Sequence, residues 1–74
     1  MNNVCCIHID DTIDSMRASV ICEELKHLPH VVNVESSSRS PQNLTIEFER
    51  HYNVPMNLLA RLEKRHLHPD MLPC

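Results

Sequence analysis

The segment IDDTIDSMRASVICEEL, residues 9–25, decides the fold. It leaves a short apolar run, crosses a polar turn and enters a helix. Ala18, Ile21, Cys22 and Leu25 recur at the i, i+3, i+4, i+7 spacing of one helix face. Asp14 or Ser15 stands where an N-cap belongs. The pattern predicts a helix over 15–28, which Pro29 stops. Upstream, VCCIHI (4–9) predicts a strand with Cys5, Ile7 and Ile9 on one side and Val4, Cys6 and His8 on the other.

Downstream, HVVNVESS (30–37) predicts a second strand, and SSRSPQN supplies a turn of loop formers. LTIEFE (44–49) alternates strictly, with Leu44, Ile46 and Phe48 inward and Thr45, Glu47 and Glu49 outward. A second helix begins at Val54–Pro55, where proline suits the first helical position, and Leu58, Leu59 and Leu62 form its apolar face. It ends near KRHLH, whose cations suit the negative end of a helix dipole. Pro69 and Pro73 make the tail a poor strand, tolerable only at a sheet edge. The order β-α-β-β-α-(β) predicts an α+β, ferredoxin-like plait, with two helices on one face of a small antiparallel sheet.

Seventy-four residues are expected to form one domain spanning 1–74, with 42% apolar and 23% charged residues, a globular balance. Glycine is absent, so no glycine loop can cradle a phosphate. The formal charge is −3 and no basic stripe appears, which argues against nucleic acid as a partner. No apolar run approaches the roughly 18 residues of a membrane span. The N-terminus lacks the charged region and cleavage signal of a leader, so a cytoplasmic setting is expected. There the four cysteines should be free thiols, with Cys5 and Cys22 acting as small apolar filler. No catalytic triad, carboxylate pair or cofactor fingerprint stands out, so the expectation is a protein that is not an enzyme.

LKHLPHVVNVE, LTIEFE and VPMNLLARLEKRHL together resemble the heavy-metal-associated (HMA) domain family over about residues 4–67. That resemblance implies a soft-metal carrier related to copper chaperones and to the N-terminal domains of metal-pumping ATPases. Its ligands would be two cysteines in a Gly-Met-x-Cys-x-x-Cys loop after the first strand. Here Asp14 stands at the first cysteine position and Arg17 at the second. A carboxylate and a guanidinium cannot replace two thiolates for Cu(I), and arginine does not give up its proton.

The resemblance also implies that the turn before the last strand lies beside this loop. The candidate metal ligands are then Asp11, Asp14, His66 and His68, with Asp70 and Met16 near them. Such donors suit Zn(II), Ni(II) or Co(II) better than Cu(I). Cys6 and His8, two residues apart on one strand face, form a second candidate pair that Cys74 or a second molecule could complete. The ordinary explanations are caps for the aspartates and a favourable helix end for His66.

Two functions follow. One is a non-catalytic metal-handling module that binds, senses or delivers a transition metal, with a metal transporter or chaperone as partner. The other is a regulatory protein-interaction domain that keeps the fold without metal. Its acidic sheet face of Glu35, Thr45, Glu47 and Glu49 would steer a basic partner, and pairing through faces or edges also allows a homodimer.

Overall fold

The computed structural model describes residues 2–50 and 53–72, of which Asn2 only by its backbone. Its elements are β1 (Asn2–Ile9), α1 (Ser15–Lys26), β2 (Val31–Ser36), β3 (Asn43–Glu49), α2 (Val54–Lys64) and β4 (Pro69–Leu72). The strands form one sheet in the order β2-β3-β1-β4, with antiparallel neighbours throughout. β3 lies between β1 and β2, and β1 lies between β3 and β4, so two β-α-β units interleave. This is the α+β ferredoxin-like plait expected.

The alternation in the strands produces the core. Ile7 and Ile9 of β1, Val34 of β2, and Leu44, Ile46 and Phe48 of β3 are buried on one sheet face. Ala18, Ile21, Cys22 and Leu25 of α1 and Val54, Leu58 and Leu62 of α2 close over them as one cluster. Burying a Leu or Ile side chain contributes about 1.5–3 kcal/mol, and this cluster is what offsets the ordering entropy of so short a chain. The apolar face of α1 is buried as its spacing required.

One expected boundary shifts, and the edge strand forms where proline allows it. The first helix ends at Lys26 rather than Leu28, because the His27 and Leu28 amides turn back onto the Glu24 and Leu25 carbonyls in a tighter turn ahead of Pro29. The last strand does form, at the sheet edge, where Pro69 sits as its first residue and costs no interior ladder bond. A bulge between Val31 and Asn33 also interrupts the ladder of β2, the other edge strand, a device that makes an edge harder to pair.

Without glycine, histidine takes the left-handed positions among the described residues. His30 has φ 68° and His66 has φ 64°. At the end of α2 the His66 amide bonds Glu63 O at 2.9 Å and the Leu67 amide bonds Leu62 O at 3.1 Å. That double closure is a Schellman cap, with His66 where glycine usually sits and Leu67 folded back into the core.

Candidate functional site

One end of the plait is built from two turns, residues 10–14 between β1 and α1 and residues 65–68 between α2 and β4. They are tied by backbone first: the Asp10 amide donates to His68 O at 2.9 Å. The Asp11 carboxylate then accepts from the His68 amide at 2.7 Å and meets His68 Nδ1 at 3.0 and 3.2 Å. The His68 hydrogen bonds hold the Asp11 carboxyl below the ordinary carboxylate range, with smaller help from Arg17. Asp11 in turn raises the proton affinity of the His68 imidazole, first by hydrogen bonding and then by charge. The imidazole is well exposed, its side chain 77% accessible, so a solute can reach it.

Gln42, in the β2–β3 turn, holds the first of these turns. Its Nε2 donates to Ile9 O at 3.1 Å and to Asp11 O at 2.7 Å, while its own carbonyl accepts from the Ile9 amide at 2.8 Å. The sequence reading did not single out Gln42. A glutamine in a loop-forming turn carries no signal until the turn is known to pack against another.

The four expected ligands divide. Asp11 and His68 come together. Asp14 is the N-cap of α1, its Oδ1 accepting from the Arg17 amide at 2.8 Å. His66 is exposed and its backbone closes α2. Met16 projects from the first turn of α1, 79% exposed. Among the described residues no three His, Cys, Asp or Glu side chains gather closely enough to hold a metal ion together.

The second candidate pair also changes character. Cys6 and His8 do share the outer face of β1, but Cys6 is disulfide-bonded and presents no thiolate. This corrects the expectation of free thiols for Cys6: an exposed sheet face leaves its sulfur accessible to another, which spacing alone did not reveal. His8 Nδ1 pairs with Asn43 Oδ1 at 2.5 Å across the ladder. Cys74 lies outside the described residues. Cys5 and Cys22 are free thiols packed in or against the core, and burial raises both. For Cys22 the neighbouring Lys26 charge and a Ser36 hydrogen bond oppose that rise.

The fold and this end together define a ferredoxin-like α+β domain with an exposed carboxylate–imidazole pair between its first and last inter-element turns. Comparison with solved structures agrees on the fold. A structure described under crosstalk between Cu(I) and Zn(II) homeostasis superposes with a TM-score of 0.78 at 14% identity, covering 95% of this chain and 99% of its own. The solution structure of a copper CopA variant from Bacillus subtilis gives 0.70 at 14% identity, with 93% and 90% covered. No family model matches the chain, and no curated protein matches it in sequence. Among the described residues no helix is long and apolar enough to cross a membrane.

The two-cysteine Cu(I) site implied by the HMA resemblance does not fit these residues. The turn at 10–14 reads Asp-Asp-Thr-Ile-Asp, and Arg17 follows on α1. The donors present are oxygen and imidazole nitrogen, a harder set than Cu(I) selects.

Proposed function

We propose that this chain is a non-catalytic metal-handling module that binds a borderline transition metal ion through Asp11 and His68. The observation that carries the reading is the Asp11–His68 contact itself, 3.0 Å between Nδ1 and Oδ1 across two turns that the fold clamps together. One carboxylate and one imidazole are the donor types that Zn(II), Ni(II) and Co(II) accept, with water completing the shell. Two protein donors make an exchangeable site, which suits sensing or delivery to a transporter or chaperone partner better than storage. The setting of the proposal is the cytoplasm, where the Cys6 disulfide would be open to reduction.

Because the ion must displace the proton that Asp11 helps His68 keep, affinity falls as the pH drops. Calorimetric titration of Zn(II), Ni(II) and Co(II) into the chain at pH 7.5 and 5.5 tests this. Saturable binding at the higher pH, lost in both Asp11→Asn and His68→Ala, is the expected result. Binding that persists in both variants sinks the assignment.

One observation favours a second reading, an interaction domain that keeps the fold without metal: no three donor side chains converge among the described residues. Absence of heat for every ion would select it.

A further inference from the structure

α2 and its cap form a basic segment in an acidic molecule. From Val54 to Arg65 the chain holds Arg61, Lys64 and Arg65 against Glu63 alone, while its net charge is −3. Asn57, Ala60, Arg61 and Lys64 recur at i, i+3, i+4, i+7 and so share one helix face. That face and Leu28, in the turn after α1, line an open groove of about 230 Å³. Ala60 is exposed in the middle of the face, and its single methyl leaves room that a longer side chain would fill. Leu28, half-buried against the core, gives the groove an apolar wall.

The cations around the groove have capacity to spare. Glu24 of α1 pairs with Arg65, and Arg61 Nη1 stands 3.7 Å from the other Glu24 oxygen, too far for a hydrogen bond. Arg61 has five N–H donors and can take a second carboxylate while keeping the first. Lys64 is exposed, and among the described residues its side chain makes no ion pair. Asn57 is exposed as well, with its backbone amide engaged to Asn53 O at 3.0 Å.

We propose that the groove between α2 and Leu28 is a docking site for a short acidic segment of another protein, with a carboxylate on Lys64 and Arg61 and an aliphatic side chain against Leu28 and Ala60. Size and charge select this occupant. The groove is smaller than the roughly 300 Å³ at which small-molecule sites begin, so it takes a side chain or two rather than a cofactor. Along α2, residues 57 to 64 span about 10 Å at 1.5 Å per residue, the reach of about three residues of extended chain. Three cations are too few for nucleic acid, which needs many phosphate contacts, or for a membrane surface, which takes a cluster of about four to eight. Binding is weak and steered by charge. The groove uses neither Asp11 nor His68, so it is independent of the metal reading.

The probe is a short soluble peptide with leucine between two glutamates, titrated into the isotope-labelled, metal-free full chain and followed by amide NMR. Saturable shifts at residues 24–28 and 56–65 are expected, fading as salt rises from about 0.05 to 0.5 M. Control peptides with glutamine for glutamate, or serine for leucine, should bind about fivefold more weakly or worse. Lys64→Met keeps the aliphatic stem, breaks no ion pair among the described residues and should weaken binding about fivefold. Ala60→Leu fills the groove at an exposed position with a good helix former, and should lose binding more than tenfold with the melting temperature unchanged. His68→Ala should bind the peptide as the parent does, which separates this result from the fate of the metal reading. No saturable response, shifts centred elsewhere, equal binding of the glutamine peptide, or full binding by Ala60→Leu would overturn the proposal. So would concentration-dependent shifts of these same amides without peptide, which would give the groove to a second copy of the chain.

Discussion

Replacing Gln42 with alanine removes two side-chain hydrogen bonds at once, those from Nε2 to the Ile9 and Asp11 carbonyls. Each such bond contributes about 0.5–1.5 kcal/mol net, and because the site is only part-buried, water recovers some of the loss. The variant should therefore be destabilised by about 1–2 kcal/mol. For a domain of this length each kcal/mol moves the melting temperature by roughly 4–8 °C, so a fall of about 5–15 °C is expected by circular dichroism. The change should also reach the site. With the Asp11 carbonyl released, its carboxylate no longer stays against His68, and the His68 titration followed by NMR should move back toward the ordinary value of 6.5. Gln42→Glu sharpens the test, because it turns carboxylate oxygens toward the same two carbonyls and should be at least as destabilising. If Gln42→Ala melts within about 2 °C of the parent and His68 titrates unchanged, Gln42 does not hold this turn.

Other consequences follow from the same geometry. His68 holds its proton more tightly when folded, so its share of stability is full below 6.5 and is lost as pH rises through the raised folded value. Asp11 holds its proton less tightly, so its share is present above 3.8 and is lost as pH falls through the lowered folded value. The pair should thus support the fold most between those limits, and Asp11→Asn should flatten that part of a pH series of urea melts. His66→Gly should stabilise the chain by about 1 kcal/mol, since φ 64° suits glycine and strains histidine; a loss of stability in the same melts would count against the cap. Restoring the two cysteines with Asp14→Cys and Arg17→Cys should create tight Cu(I) binding in a competition assay, and a double variant that binds no more copper than the parent would refute the placing of those positions.

Much of the architecture was legible in the sequence because periodicity and burial agree there. LTIEFE buries Leu44, Ile46 and Phe48, and the α1 stripe buries Ala18, Ile21, Cys22 and Leu25, in the pattern that their spacing demands. The last strand was harder to read, because proline argues against a strand interior and only the edge position makes Pro69 harmless. The lack of glycine was visible, but its consequence was not: which residues would then occupy the left-handed positions depends on where each helix closes, and His30 and His66 do so. The site was half legible. Asp11 and His68 lie 57 positions apart, and only a fold-level resemblance brought their turns together. Nothing in the residue pattern marked Gln42 as the clamp, committed Asp14 rather than Ser15 to the cap, or drew Cys6 into a disulfide.

The most direct test of the metal reading is an amide NMR titration of the labelled chain with Zn(II) at pH 7.5, run beside His68→Ala. The account predicts saturable shifts at residues 10–13 and 67–70 in the parent, and none there in the variant. A parent that shows no saturable response at those residues, or a variant that responds equally, would contradict it.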